Sequence, residues 1–258
     1  MKRLLTAALL IPFVVYTVLW ANPWVFLAVV ALAAALSYRE YDAIAAAYGF
    51  GAPGPLGYGA GLALLLIPPG AWLVVTGAAL VALALALRSA ELARSLPRTA
   101  LLVLGVVYVF GCWRCAIVLH SHGPHWLMYA LVVSWSGDIG AYYAGRAWGR
   151  HKLAARISPQ KSWEGAGASV AASVLLAGAY LVYFVGGVTI AQAAVLSAAG
   201  NVAGQFGDLV ESAMKRGASM KDSGGLLPGH GGFLDRVDST LFVMPAIAAW
   251  LIAGAHGL

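Results

Sequence analysis

The sequence predicts an all-α integral membrane protein with about nine transmembrane helices. Hydrophobic residues make up 61% of its 258 residues and charged residues only 10%, whereas a soluble domain carries about 25% charged residues. Apolar runs close to the ~20 residues that span a bilayer as a helix recur along the whole chain. They are too long and too continuous for the strands of a membrane barrel, which alternate over ~9–11 residues.

Nine apolar windows are expected to form the spans. They lie at about 4–20, 23–38, 56–69, 71–87, 99–119, 125–145, 166–186, 189–212 and 238–256. The first follows Met-Lys-Arg as a signal peptide would, but no convincing cleavage site precedes Asn22-Pro23, so it is expected to be retained. The third is short and rich in Gly and Pro, which favours a tilted, broken or re-entrant helix. We predict one multi-pass domain, with residues 1–130 mainly scaffold and residues 131–258 the catalytic half.

The placement of positive charge predicts the orientation. With Lys2 and Arg3 in the cytoplasm, alternate connections receive every one of the 16 Lys and Arg residues except Arg114. Such one-sidedness follows the positive-inside rule, so the N-terminus is predicted to be cytoplasmic and the C-terminus outside, in the cell (inner or plasma) membrane. Topology explains most of the net charge of +6, and nothing indicates nucleic-acid binding. Arg114 is expected either to face a partner or wet cavity, or to snorkel toward an interface.

Polar residues within the windows concentrate after residue 130. Asp138 falls in the cytoplasmic half of the sixth window, and Ser134 and Tyr142 share its helix face because they lie four residues away on either side. An ionisable residue in an apolar helix usually has a function. A hydrogen bond between packed helices is the alternative.

The eighth window carries one continuous polar stripe, because its polar residues step by four, three, four and three. They are Asn201, Gln205, Asp208, Ser212 and Lys215. Asn201 and Gln205 are also consistent with interhelical hydrogen bonding alone. Asp208, with Glu211 nearby and a basic loop following, favours a metal or phosphate role.

Residues 212–239 form the densest cluster of charge, glycine and histidine in the chain. Asp222, Asp235 and Asp238 offer the oxygen ligands that Mg²⁺ prefers, although Asp235 and Asp238 also suit the start of the ninth helix as capping acids. The cations of the cluster would bind phosphates; they are Lys215, Arg216, Lys221 and Arg236. Its glycines, Gly231 and Gly232 among them, would let backbone N–H groups face an anion. The combination indicates phosphoryl or nucleotidyl transfer at a membrane surface.

Two further segments carry charge. In the connection before the seventh window, Lys161 and Ser162 lie beside the turn at Ser158-Pro159 and would bind phosphate. Helix initiation and topology are the alternatives there. Near the N-terminus, residues 37–42 read Ser-Tyr-Arg-Glu-Tyr-Asp and are interpreted as a solvated helix end.

The stretch 212–238 resembles the signature of phosphatidate cytidylyltransferases, the CDP-diacylglycerol synthases, without a departure. The matching residues are Ser212, Lys215, Arg216, Lys221, Asp222, Gly224, Leu227, Pro228, His230, Gly231, Gly232, Asp235, Arg236 and Asp238. The region that contains the blocks 138–146 and 157–165 is also similar to the family. Its mild departures are Arg150, Ala155, Ser162 and the pair Gly167-Ala168, where the family has a paired glycine.

The resemblance implies a nucleotidyltransferase that makes CDP-diacylglycerol and pyrophosphate from CTP and membrane phosphatidate at the cytoplasmic face. We assign Mg²⁺ to Asp208, Asp235 and Asp238, with Asp138 and Asp222 as further carboxylates; a second cation, monovalent or divalent, is left open. Phosphate-binding cations would be Lys161, Lys215, Arg216, Lys221 and Arg236. His230 would donate to a phosphate or to the leaving pyrophosphate. Ser158, Ser162, Gly231 and Gly232 would bind the nucleotide.

Two alternatives remain at this point. A CTP-dependent polyprenol or phytol kinase also joins CTP to lipid chemistry. A transporter could use Asp138 and Asp208 as a pathway, but the polar residues fade before they reach the outer side, which disfavours it. The expected partners are CTP, phosphatidate and the bilayer, with no nucleic acid, and homodimer formation is left open.

Overall fold

A computed structural model describes residues 2–50, 54–66, 71–86, 92–226 and 231–255. Over these residues the chain is helical apart from one small hairpin and short turns. The helices are α1 Lys2–Leu19, α2 Pro23–Phe50, α3 Gly54–Leu66, α4 Ala71–Ala86, α5 Ser95–Ser121, α6 Pro124–Trp148, α7 Trp163–Phe184, α8 Ile190–Gly217 and α9 Leu234–Ala255. Three of them contain a π-helical stretch: Ala46–Phe50 in α2, Val106–Gly111 in α5 and Ser173–Ala177 in α7.

Each of the nine predicted windows overlaps one of these helices. By length and composition, α2, α5, α7 and α9 can each cross a membrane, while α1, α3 and α4 contain shorter apolar stretches. Helices α6 and α8 have 25 and 28 residues but carry the polar residues of the predicted site, which lower their mean hydropathy. The structure therefore fits an all-α membrane protein. The number of spans and the side of the N-terminus stay predictions.

Large apolar side chains lie on the outside of this fold. Leu175, Ile190 and Val195 are 70%, 78% and 71% exposed. Exposed apolar surface on this scale is costly in water and favourable in hydrocarbon. These faces are suited to lipid.

The chain divides into two compact units that interleave along the sequence. The first comprises Met1–Ala7, Pro23–Arg114 and Met214–Arg236. Its core is aromatic: the Tyr38 ring lies 4.8 Å from that of Tyr58 and 5.2 Å from that of Phe110, measured between centroids. Tyr41 and Ile44 complete the buried face of α2. The prediction of a single membrane domain stays a prediction.

Arg114 has a structural partner within the first unit. Its Nη1 donates hydrogen bonds to the backbone oxygens of Leu64 and Leu65, at 3.0 and 2.8 Å. These carbonyls belong to the last turn of α3, where no further helical N–H can reach them. Of the two alternatives left open by the sequence, the structure favours a fixed protein partner.

The second unit comprises Ala8–Asn22, Cys115–Ala213 and Val237–Leu258. Its core holds fully buried apolar side chains of α6, α7 and α9, including Tyr129, Leu181, Leu241, Met244 and Ile247. Polar bonds also join its helices: the hydroxyls of Tyr129 and Ser197 lie 2.9 Å apart, and Thr240 donates to Ser134. This unit contains the predicted polar stripe.

The connection between α6 and α7 folds as a hairpin that the sequence did not predict. Strand β1, Lys152–Ala154, pairs antiparallel with β2, Ser158–Ser162, and the register shifts by a bulge between Lys152 and Ala154. Three-residue and five-residue strands rich in Lys, Ser and Gln lack the alternation that marks a strand in a sequence. The hairpin places Ser158 and Lys161 on a short, regular element.

Candidate active site

A polar cavity of about 320 Å³ lies in the second unit, between α6, β2, α7 and α8. Five of the residues proposed from the sequence line it: Asp138, Ser158, Lys161, Ser162 and Asp208. They come from three elements, α6, β2 and α8, that are separated along the chain, so only folding brings them together. A cavity of this volume is within the usual range for small-molecule sites.

Two glycines on α8 let α9 approach the acidic end of the stripe. A Cβ at Gly207 would lie 2.5 Å from the backbone oxygen of Asp238, and one at Gly204 would lie 2.6 Å from the Ser239 hydroxyl. Any larger residue would push the helices apart. The close contact brings Asp238 into electrostatic range of Asp208.

Four carboxyl groups of the second unit converge around this contact. Asp238 experiences repulsion from Asp208, Glu211 and Asp138, and Glu211 is completely buried. Like charges brought together away from water are unfavourable unless a cation joins them. The cluster is therefore an electronegative site that favours a cation.

The side-chain ammonium group of Lys161 reaches this carboxylate cluster. Lys161 Nζ, on β2, lies 2.6 Å from Asp208 Oδ2, and the Ser212 hydroxyl donates to Asp208 Oδ1 at 3.3 Å. The side chains of Lys161 and Asp208 are 24% and 35% exposed, so solvent and solutes can reach the pair. The predicted phosphate-binding role of Lys161 is compatible with this exposure and stays a prediction.

Capping interactions hold the hairpin against α7. Ser162 is the N-cap, and its hydroxyl accepts a hydrogen bond from Gly165 N at 3.2 Å. The Glu164 carboxylate accepts the backbone N–H groups of Arg150 and His151, and it pairs with His151 Nδ1 at 2.6 Å. Both helix initiation and a ligand-binding position, which the sequence left as alternatives for Ser162, are compatible with this geometry.

Residues 214–236 of the signature segment belong to the first unit, where Asp235 is the central acceptor. The carboxylate of Asp235 forms an ion pair with Lys215 and accepts the N–H groups of Ser223 and Gly232, at 3.1 and 2.9 Å. The two side chains of the ion pair are 9% and 11% exposed. Asp235 thus caps the start of α9, which is the structural alternative that the sequence offered for it. Its role as a metal ligand stays a prediction.

Glu40 on α2 is a buried residue that contacts the signature segment, and the sequence did not indicate this role. Its Oε1 accepts Phe233 N at 2.9 Å, and its Oε2 accepts Leu234 N at 2.7 Å and the Ser223 hydroxyl at 2.6 Å. It is 6% exposed, so the interpretation of residues 37–42 as a solvated helix end is wrong for Glu40. The available signal was the spacing of Glu40, four residues before Ile44, which places it on a helix face with an apolar residue.

The glycines of the signature make room for this carboxylate. A Cβ at Gly224 would lie 2.5 Å from Glu40 Oε1, and one at Gly232 would collide with Glu40 Oε2 and the Ser223 hydroxyl. Gly231 has a φ of +81°, a conformation that a side chain strongly disfavours. Close packing around Glu40 is a structural reason for Gly224 and Gly232, and their predicted anion-binding role stays a prediction.

The other predicted residues of the first unit lie at its surface. Arg216, Lys221, Asp222 and Arg236 are exposed, and Arg216 Nη1 donates to the Met220 oxygen at 3.3 Å. Their phosphate-binding and metal-binding roles stay predictions. His230, with Leu227, Pro228 and Gly229, lies outside the described residues.

The donor chemistry of the second unit fits Mg²⁺, which takes one or two carboxylates together with substrate phosphates. Asp208 and Asp238 would hold the ion, with Asp138 nearby, because a divalent cation would relieve their mutual repulsion. Among the residues that the structure describes, no three His, Cys, Asp or Glu side chains form a ready ligand group. Substrate oxygens would have to complete the coordination.

Fold and cavity together define a class: a helical membrane protein whose polar cavity combines carboxylates, hydroxyls and a lysine, which suits the chemistry of phosphate esters. Comparison with known families is consistent with this class. The model of the cytidylyltransferase family matches residues 1–253. The chain belongs to the cytidylyltransferase family, which confirms the resemblance seen in the sequence.

Three similar proteins carry the same name. The chain is 40% identical over 147 residues to the phosphatidate cytidylyltransferase of Bacillus subtilis (strain 168), a match that covers 56% of this chain and 55% of the relative. It is 46% identical over 134 residues to that of Staphylococcus aureus (strain COL), covering 51% of each. It is 38% identical over 148 residues to that of Haemophilus influenzae, covering 54% and 51%. The matched region spans about half the length of each relative.

Proposed function

We propose that the protein transfers the cytidylyl group of CTP to phosphatidate, forming CDP-diacylglycerol and pyrophosphate. The observation that carries the proposal is the cavity in which Asp138, Lys161 and Asp208 meet. Family membership and the names of the relatives support it.

The reaction needs charge control more than a strong base. A phosphate oxygen of phosphatidate would form a bond to the α-phosphorus of CTP while the bond from that phosphorus to the bridging oxygen breaks, and pyrophosphate leaves. Phosphatidate is already an anionic nucleophile, so the main barriers are the approach of two polyanions and charge at the α-phosphate. Positioning and electrostatic stabilisation are suited to lower both.

The residues of the cavity have defined parts in this proposal. Lys161 would leave Asp208 and donate to a phosphate oxygen, and the hydroxyls of Ser158 and Ser162 would orient the phosphates. Asp208 and Asp238 would hold Mg²⁺, which would supply charge neutralisation at those phosphates. We place the site at the cytoplasmic face of the cell membrane, where CTP is available and where the basic connections are predicted.

The direct test uses purified protein in detergent with labelled CTP, Mg²⁺ and phosphatidate. The expected products are CDP-diacylglycerol and pyrophosphate in equal amounts. An Asp208→Asn variant should lose activity, whereas Gln192→Met, on the same helix but outside the cavity lining, should keep it. Release of CDP with a phosphorylated polyprenol or phytol, and no lipid product from phosphatidate, would replace the proposal by the kinase alternative.

A further inference from the structure

The side-chain amide of Gln205 lines the cavity with a fixed orientation. Gln205 lies on α8, and its Nε2 donates to the backbone oxygen of Ala166 at 3.1 Å and to Asn201 Oδ1 at 2.7 Å. Both amide hydrogens are therefore used within the protein. The remaining polar atom, Oε1, accepts no hydrogen bond from any residue that the structure describes.

A chain of hydrogen bonds fixes the orientation of the Gln205 amide. It begins at a backbone carbonyl, which can only accept a hydrogen bond. The Ser173 hydroxyl donates to Val133 O at 2.9 Å, so it must accept from Asn201, whose Nδ2 lies 2.8 Å away. Asn201 Nδ2 also lies 2.9 Å from the Ser169 hydroxyl. With its nitrogen committed to the serines, Asn201 presents its oxygen to Gln205.

The opposite orientation of Gln205 is excluded by the same partners. A reversed amide would set Gln205 Oε1 against Ala166 O and Asn201 Oδ1, two acceptors without a proton between them. Such a contact leaves both acceptors without a hydrogen-bond donor, which is unfavourable. Gln205 therefore offers the cavity an acceptor and no donor.

This acceptor lies one helical turn from the acidic end of the cavity. Gln205 and Asp208 are three residues apart on α8, so their side chains are neighbours on one helix face. Phosphates near Lys161 and Asp208 would leave the other part of the cavity to the nucleoside. An acceptor at that position favours a base with a hydrogen-bond donor on its edge.

Cytosine and uracil differ at this edge. Cytosine presents an exocyclic amino group, a donor, where uracil, like thymine, presents a carbonyl oxygen. We infer that Gln205 Oε1 accepts the exocyclic N–H of cytosine, which makes Gln205 the residue that selects cytidine over uridine nucleotides. The inference rests on the proposed function, which supplies a pyrimidine nucleotide as substrate.

The experiment compares CTP with UTP in two readouts: equilibrium binding to purified protein, and kcat/KM for lipid product. The wild type should prefer CTP by about 10²-fold or more, because sites built around a hydrogen bond reject an analogue that cannot form it. Gln205→Met is similar in size but lacks the acceptor. It should reduce the preference for CTP to less than ~10-fold, mainly because CTP binds more weakly. The ratio is taken on one sample, so partial unfolding does not alter it.

A second variant tests the orientation rather than the residue. Asn201→Leu keeps Gln205 but removes one of the two acceptors that hold its amide. The orientation of the amide is then fixed less strongly, so the preference for CTP should fall, though less than in Gln205→Met. Gln192→Met, which changes a glutamine on the same helix that bonds only to Thr189 among the described residues, should keep the wild-type ratio.

The outcomes separate the two levels of the proposal. An unchanged CTP preference in Gln205→Met, or equal weakening of CTP and UTP as expected for a sugar contact, would overturn the role of Gln205 while the transferase function stands. Binding that prefers CTP through Gln205, with no lipid product, would overturn the proposed reaction and keep the inference. Equal binding of CTP and UTP by the wild type would overturn the inference directly.

Discussion

The Glu40 carboxylate accepts a hydrogen bond from the Ser223 hydroxyl at 2.6 Å, across 183 residues of sequence. The same carboxylate accepts two N–H groups at the start of α9. A helix N-terminus carries unsatisfied N–H groups and a partial positive charge, so a buried carboxylate there is favourable. A helix of the predicted scaffold half thus orders the signature segment.

Replacement of Glu40 should therefore affect both stability and turnover. Glu40→Gln places an amide N–H₂ against donors and should lower the free energy of unfolding by about 2 kcal/mol, the size expected for a lost charged hydrogen bond. Among molecules that remain folded, kcat should fall more than KM rises, because the signature loses its register. Thermal unfolding and kinetics on the same preparation measure both effects.

The neighbouring carboxylate provides the control for Glu40. Asp42 lies on the same helix and accepts Gly54 N at 3.0 Å, outside the signature. Asp42→Asn should keep kcat close to wild type. If Glu40→Gln loses activity only in proportion to the folded fraction, Glu40 is structural and does not position the site.

Asp235 and Asp238 should respond to the same substitution in opposite ways. Asp235→Asn breaks a buried ion pair with Lys215 and should destabilise the protein by about 3 kcal/mol. Asp238→Asn removes one of four carboxylates that repel each other, so the melting temperature should hold or rise while activity falls by ~10²-fold or more. Thermal melts and initial rates in Mg²⁺ distinguish them, and full activity of Asp238→Asn would remove Asp238 from the metal site.

Ser162 can be tested for its two compatible roles with two substitutions. Ser162→Ala removes the N-cap and should cost about 1 kcal/mol, whereas Ser162→Gly should cost only a few tenths. Both lack the hydroxyl. If Ser162 binds the nucleotide, both variants should raise the KM for CTP equally despite their different stabilities. A KM that follows stability instead would assign Ser162 to capping alone.

Sidedness can be tested by labelling. Gln160 and Ser219 are exposed, one on β2 and one after α8. Cysteines at these positions, in a background that lacks the free Cys112 and Cys115, should both resist an impermeant thiol reagent applied outside intact cells. Both should react after the cells are opened. Labelling of either residue from outside would contradict the predicted orientation.

The sequence predicted the helices well because apolar runs of sufficient length leave few alternatives. It also predicted that Asp138, Lys161 and Asp208 belong to one site. It missed Glu40, because local spacing cannot show which distant amides a buried carboxylate will meet. It missed the hairpin at 152–162, because the two polar strands lack the alternation of apolar and polar residues that marks a strand. Gln205 was noted only as one residue of a stripe; its fixed amide depends on partners from α6 and α7.

The arginine that closes the end of α3 has a consequence for biogenesis. Helix α3 has 13 residues and is about 20 Å long, shorter than the hydrocarbon core. Its last carbonyls precede Arg114 by some fifty residues in synthesis. Until α5 has been synthesised, the carbonyls of Leu64 and Leu65 lack Arg114 as a hydrogen-bond donor. Conversely, insertion of Arg114 into lipid without these acceptors would be costly. The two segments are therefore expected to leave the translocon as a pair, with α3 held at its exit until α5 arrives.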